Sequence, residues 1–158
     1  RDPLTGLLNR RALTKETQKL TKIANIDYWV AVLDIDHFKS INDTYGHPAG
    51  DSVIKQLADI LRQCIRQQDL AFRVGGEEFV IIIRDSEKQE ASNIVNRVRT
   101  MFEHNPILCD GKTISHTLSA GLTNNMWESN ASFEATFKVA DKALFDAKCR
   151  GRNRIVMV

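Results

Sequence analysis

The sequence contains no apolar run approaching the ~18 residues that a helix needs to cross a bilayer, and no secretory leader is visible in it. These residues are therefore expected to form a cytoplasmic domain, whether or not the parent protein is anchored in a membrane. A dominant charge is missing too. Lys and Arg number 22 and Asp and Glu 20, so the formal charge of +2 points to neither nucleic acid nor a membrane surface. Cysteine is scarce: Cys64, Cys109 and Cys149 lack metal-ligand spacing and, being three, cannot all pair, so reduced thiols are expected. There is no internal repeat, no low-complexity tract and no coiled-coil pattern, which excludes a solenoid and a self-contained dimerising stalk.

What is present is ordinary for a globular domain. Hydrophobic residues make up 42% and charged residues 27% of 158, enough to bury one core, and residues 1–158 are read as a single domain. The chain opens at Arg1, without a methionine, so it is expected to be a piece of a longer protein. Charge is uneven only near the end: Lys138–Val158 carries six Lys/Arg against two Asp, an excess of four. A solvated helix face often does this, so alone it hints only at an anionic partner.

Turn formers from Asp2 lead into a helical pattern that reaches about Lys22, with Asn9 as its N-cap. Tyr28–Asp34 is a short apolar run rich in strand formers and reads as a buried strand ending in a carboxylate. Phe38–Tyr45 reads as a short helix closed by Gly46, and about Gly50–Ile65 as a longer one, with Val53, Ile54, Leu57, Ile60, Leu61 and Cys64 on one face. Leu70–Val74 and Phe79–Arg84 flank Gly75-Gly76-Glu77-Glu78 as a β-hairpin. Asp85/Ser86 should cap a helix to about Glu103. Thr113–Thr123 should contain a strand paired with Ile107–Cys109 through the Asp110-Gly111 turn. Ser132 should cap a last helix to about Cys149, before a strand at Arg154–Val158. This order predicts an α+β, ferredoxin-like split βαβ core (βαββαβ) with a mainly antiparallel central sheet flanked by helices, and an appended helix and strand.

Two polar features interrupt the apolar strands where packing does not require them. Asp34 ends the first strand, followed by Ile35 and Asp36, and Glu77 and Glu78 lie in the hairpin turn. If the hairpin lies beside the first strand, these acids converge, and converging carboxylates repel unless protonated or bridged by a cation. Hard oxygen ligands favour Mg²⁺ or Mn²⁺, and a pair of such ions stabilises attacking and leaving oxygens in phosphoryl transfer. Gly75 and Gly76 fit that chemistry by permitting φ > 0 and a close approach of phosphate to the backbone. For the turn alone, a solvated hairpin is the commoner reading.

The match extends well beyond the turn. Gly75-Gly76-Glu77-Glu78-Phe79, preceded by Arg73, resembles the signature of the GGDEF family of diguanylate cyclases in its Glu variant. Asp2-Pro3-Leu4-Thr5-Gly6-Leu7-Leu8-Asn9-Arg10-Arg11 resembles the family's opening. Asp34-Ile35-Asp36-His37-Phe38-Lys39, Ile41–His47 and Gly50-Asp51 follow its pattern, and Ala147–Asn153 resembles its closing motif. The resemblance implies a catalytic domain of a longer signalling protein, with a fold related to nucleotidyl cyclases and polymerase palms. It implies condensation of two GTP into cyclic di-GMP plus two pyrophosphates, each 3′-hydroxyl attacking the other nucleotide's α-phosphate.

By the same resemblance, Asp34, Glu77 and the Ile35 carbonyl hold two Mg²⁺ or Mn²⁺ ions per site, and Glu77 and Glu78 are the catalytic acids of the turn. Asn42 and Asp51 match guanine-binding positions, and a carboxylate accepting from guanine N1–H and N2–H would be left unpaired against adenine. His47 is placed at the base or ribose pocket. Lys148 and Arg152 fall where the family contacts the β- and γ-phosphates, and the backbone N–H groups of His37–Lys39, Phe38 among them, are placed to donate to phosphate. Arg66-Gln67-Gln68-Asp69 looks like the family's inhibitory site, where cyclic di-GMP is held by Arg66 and Asp69, with Arg97 as a second basic residue. Taken alone, an RxxD pair is more often a surface ion pair.

The implied partners are GTP, cyclic di-GMP as product and inhibitor, and a second copy of the chain, since double attack needs two nucleotides facing each other across a two-fold axis. No nucleic acid partner is implied. An N-terminal regulatory domain is expected to bring two copies together, and the isolated domain to be mainly monomeric and weakly active when dilute. Two other readings compete. One is a sensor that has lost catalysis but keeps Arg66 and Asp69; the intact acids and Lys148 argue against it. The other is a different nucleotidyl-transfer enzyme on a related fold, which Asp51 and the inhibitory motif disfavour.

Overall fold

The computed structural model describes residues 1–127 and 131–158. Along the chain they form α1 (Arg10–Thr21), β1 (Tyr28–Ile35), α2 (Phe38–Tyr45), α3 (His47–Cys64), β2 (Leu70–Arg73), β3 (Glu78–Arg84) and α4 (Lys88–His104). There follow β4 (Ile107–Cys109), β5 (Lys112–Ile114), β6 (Leu118–Asn124), a 3₁₀ turn at Asn125–Trp127, α5 (Phe133–Cys149) and β7 (Ile155–Met157). The main sheet runs β2-β3-β1-β6-β7. Its first four strands are antiparallel and β7 joins β6 in parallel, which is the α+β split βαβ core with an appended helix and strand.

Strand alternation divides the sheet between two cores. Trp29, Ala31, Leu33 and Ile35 face one side with Phe79, Ile81 and Ile83, packed with the apolar stripes of α3 and α4 and with Phe38 and Ile41 of α2. Val30 and Val32 face the other side with Val80 and Ile82, beneath Leu13 and Leu20 of α1 and Ala140 and Leu144 of α5. Helix α5 lies so close to β6 that a Cβ on Gly121 would collide with the Ala140 carbonyl and the Leu144 amide, so glycine there fixes the seat of the helix.

Local signals account for most boundaries. The Asn9 side chain accepts from the Ala12 amide at 2.9 Å, and Ser132 accepts from Ala135 at 3.1 Å, so both expected N-caps are present. Helix α3 begins at His47 rather than near Gly50, because Pro48 in its first turn has the fixed φ that a helix start favours. Helix α4 begins at Lys88 behind Glu87, not at an Asp85/Ser86 cap. Asp85 sits in the left-handed region at φ 50°, and the Ser86 hydroxyl bonds the Glu87 carbonyl. The stretch after Asp110-Gly111 is two strands, not one: β5 pairs with β4 as a separate ribbon, and β6 enters the main sheet after Ser115–Thr117. The three cysteines are free.

Candidate active site

The end of β1 meets the start of β3. Asp34 stands directly opposite Glu78 in the register, and the Ile35 amide donates to the Glu77 carbonyl at 3.2 Å. Residues directly opposite in an antiparallel pair share a face, so Asp34 and Glu78 point to the α1/α5 side while Glu77 occupies the turn. Glu78 is thus the first residue of β3. Asp34 and Glu78 are side by side, and the Glu77 backbone closes onto the end of β1.

The charges feel one another. Burial pushes the Asp34 carboxyl up; Lys148 pulls it down, while Glu77 and Asp36 push it further up, and the net direction is upward. Glu78 is also raised, first by burial and then by Asp141 and Asp34, with Arg10 and Lys148 opposing. Lys148 Nζ lies 3.1 Å from Asp34 Oδ2, the sole ion pair that Asp34, Glu77 or Glu78 makes among the described residues.

The turn is held from outside the sheet. Arg73 donates from Nε and Nη2 to the Gly76 carbonyl at 3.2 and 2.9 Å and from Nη1 to both Asp2 oxygens at 3.2 Å. Asp2 in turn accepts from the Thr5 amide and hydroxyl, and Arg10 Nε donates to the Val74 carbonyl at 3.2 Å. The Arg73 amide donates to Leu8, whose bridge to Phe72 lays the N-terminal segment along the β2 edge. Neither Gly75 nor Gly76 has a positive φ, which corrects the expected use of the glycines. A Cβ on Gly76 would meet nothing within 4 Å, whereas one on Gly75 would touch the Glu78 Cβ at 3.4 Å.

Asp36 serves differently from Asp34. It is buried, and its oxygens accept from Ser119 Oγ and Thr117 Oγ1 at 2.7 Å and from the Asn153 amide at 3.0 Å. It ties β1 to β6 and to the loop that carries Arg152. Asn153 and Arg152 themselves have positive φ, at 47° and 64°.

At the α2–α3 corner the Asn42 side chain lies directly over Gly50, where a Cβ would collide with its Oδ1. Gly46 turns the corner at φ 91°. Asn42 is half-buried, while Asp51 and His47 are exposed on α3. His37 precedes α2 in the left-handed region at φ 55° and makes no side-chain cap, which leaves the first α2 amides uncapped among the described residues. The Phe38 ring is buried. Lys148 sits in the last turn of α5, and Arg152 lies just beyond, exposed.

A separate corner holds Arg66 and Asp69. Arg66 bonds Asp69 through Nε and Nη2, both at 3.0 Å, the Arg84 carbonyl at 2.6 Å and Glu90 at 2.7 Å. The Arg66 and Arg84 amides also donate to Asp69, whose side chain is 0% exposed against 24% for Arg66. Arg97 is exposed on α4, two turns after Glu90. Burial pushes the Cys64 thiol up, and the charge of Arg97 opposes it. This corner is not part of the acid edge.

Sequence patterns named most of these residues, but not the duties of Asp36, Gly50, Gly121, Arg10 or Asp141. Asp2-x-x-Thr5 carries a local signal, since that spacing favours an aspartate-capped turn. The reach of Arg10 to Val74, 64 residues away, carries none.

Residues 1–154 match the family described as diguanylate cyclase, GGDEF domain. The chain belongs to that family. It is 43% identical over 157 residues to diguanylate cyclase DgcP of Pseudomonas aeruginosa, covering 98% of this chain and 23% of that protein. The domain therefore spans under a quarter of the length of that relative. Diguanylate cyclase SiaD of P. aeruginosa, solved in complex with its activator SiaC, superposes with a TM-score of 0.93 at 36% identity, covering all of this GGDEF domain and 61% of that chain. The coiled coil and GGDEF domain of DgcB from Caulobacter crescentus, solved with c-di-GMP, gives 0.92 at 29%, covering 99% and 84%.

Proposed function

We propose that this GGDEF domain condenses two GTP into cyclic di-GMP, one nucleotide per protomer, across a two-fold homodimer. The observation that carries this is the meeting of Asp34 with Glu78 and the Glu77 turn at the shared end of β1 and β3. A divalent ion suits this donor set of carboxylates and a backbone carbonyl. Among the described residues no three His, Cys, Asp or Glu side chains are already gathered as a cage. Mg²⁺ typically takes one or two carboxylates and completes its shell with phosphate and water. Asp34, Glu77 and the Ile35 carbonyl would hold it, and Mn²⁺ is the alternative. When bound, such ions activate the 3′-hydroxyl and neutralise the triphosphate.

The chain's own residues then divide the work. Asn42 and Asp51 accept from the guanine edge at the α2–α3 corner, where Gly50 leaves room for the Asn42 side chain, with His47 beside them. The uncapped amides around Phe38 donate to phosphate, and Lys148 and Arg152 supply cations from the α5 side. Glu78, with its proton affinity raised, stands where the 3′-hydroxyl or a second ion would lie.

Cyclic di-GMP is proposed to bind back at Arg66, with Arg97 at its flank. The partly exposed Arg66 guanidinium is flat and held rigid by Asp69, a good platform for a guanine ring. A guanine edge reaches the Asp69 carboxylate only if the bonds to Arg66 and Arg84 open. The c-di-GMP in the DgcB structure supports dinucleotide binding in the family, and the coiled coil there supports dimerisation from outside the domain. A regulatory segment is proposed to supply it here.

The test is chromatographic product analysis at high protein concentration with GTP, ATP and Mg²⁺, with Glu78→Gln as control. A dinucleotide from GTP alone is expected, absent in the variant. A mononucleotide, or a dinucleotide from ATP, would reject the assignment. Arg66→Ala should weaken product binding at least about tenfold, the scale of a lost charged contact.

A further inference from the structure

Lys148 is the cation bonded to the acid edge, and it does not stand where a residue awaiting phosphate alone would stand. Arg152 has that arrangement: its guanidinium makes no hydrogen bond or ion pair among the described residues. Lys148 instead folds onto Asp34 at 3.1 Å, 32% exposed against 14% for its partner. Helix α5 itself is packed tightly on β6, its backbone closing on Gly121. The lysine stem, with four rotatable carbons, is free to swing while the helix stays.

We infer that Lys148 is a stand-in cation: in the nucleotide-free domain its ammonium neutralises Asp34, and it moves to the triphosphate only when nucleotide and divalent ion arrive together. The inference rests on the proposed roles of Asp34 as a metal ligand and Lys148 as a phosphate contact. An ammonium and a divalent ion repel when both lie within ~3 Å of one carboxylate. A free ion must therefore evict Lys148 and leave it without a partner. A triphosphate provides the evicted ammonium with new oxygens. The site thus takes the metal–nucleotide chelate in preference to the bare ion. Nucleotide and metal tighten each other's binding, and by linkage the two enhancements are equal.

The test is direct Mn²⁺ binding to the intact domain, read by the electron paramagnetic resonance signal of free Mn²⁺. It is run without nucleotide and with a GTP analogue carrying a methylene between the α- and β-phosphates. Without nucleotide, Lys148→Met should bind Mn²⁺ at least about fivefold tighter than the parent, the low end of ordinary coupling. The enhancement by the analogue should shrink in step, and Lys148→Gln should move both quantities the same way. Equal or weaker Mn²⁺ binding in both lysine variants, with melting curves showing them folded, overturns the inference. Asp34→Asn separates the two levels. If it abolishes Mn²⁺ binding, Asp34 stands as a ligand and the lysine result alone decides. If Mn²⁺ binding survives in it, the metal assignment fails and the role of Lys148 with it.

Discussion

Two aspartates near the end of β1, two residues apart, are put to opposite uses. Asp36 is buried and accepts three hydrogen bonds that knit β1, β6 and the Arg152 loop together. Among the described residues the Asp34 carboxylate makes no polar contact apart from its ion pair with Lys148, and it faces Glu78 across the register. The difference lies in the donors around each carboxylate, not in residue type or distance along the chain. A carboxylate surrounded by short neutral donors is finished as a structural part. One surrounded by other carboxylates is left with demand for a cation, and that demand is what a phosphoryl-transfer site needs. Asp69 is a third case: it is buried and satisfied, but by the charged Arg66 guanidinium as well as by the Arg66 and Arg84 amides.

The largest effects should split these aspartates cleanly. Asp34→Asn is expected to lower turnover of GTP by about 10³-fold, the scale of losing several kcal/mol of charge stabilisation. It should shift stability by less than about 1 kcal/mol, since a repelled carboxylate and one ion pair are lost together. Product chromatography and denaturant titration measure the two halves. Asp36→Ala reverses the pattern. It leaves two hydroxyls and the Asn153 amide without an acceptor, and is expected to cost about 3 kcal/mol of folding free energy. For a domain of this size that lowers the melting temperature by roughly 6–12 °C. An Asp36→Ala protein that melts with the parent would dissolve the comparison.

This split was only half legible in the sequence. The strand ending in Asp34, the hairpin with its acidic turn and the caps at Asn9 and Ser132 follow from local pattern, because periodicity and turn chemistry are local. Asp34 and Asp36 look alike in one dimension. Only the register against β6 places Ser119 and Thr117 beside one of them, and those donors lie more than 80 residues away. The glycines of the turn were misjudged for a similar reason. Diglycine suggests positive φ, but the hairpin closes without it. Asp85 and Ser86 show the limit of cap rules, since Asp85 instead turns the chain through the left-handed region.

A smaller effect should sharpen the contrast at the α2–α3 corner. Gly50 is tolerated in the α3 interior because Asn42 occupies the space that a side chain would need. Gly50→Ala should push Asn42 aside and raise the KM for GTP about tenfold, the scale of one displaced polar contact, with kcat changed far less. A fall in kcat at constant KM would place the damage at the acid edge instead. Steady-state kinetics with GTP distinguish the two.

The smallest effect concerns the clamp that holds the turn. Burial raises the Asp2 carboxyl, but hydrogen bonds from the Thr5 side chain and backbone, then those from Arg73 and its charge, outweigh it, and the net direction is downward. A carboxylate depressed in the folded state binds its proton more readily when unfolded. Its contribution is therefore complete above the unfolded value near ~3.9 and is lost as pH falls through the lower folded value. Asp2→Asn removes that titration. The parent should thus be the more stable protein at pH 6, and its advantage over the variant should fade as the pH falls below about 4. Paired urea titrations across that range measure the difference. An advantage that stays constant into acid would mean that Asp2 acts through shape alone, and that its charge does not hold Arg73 against the turn.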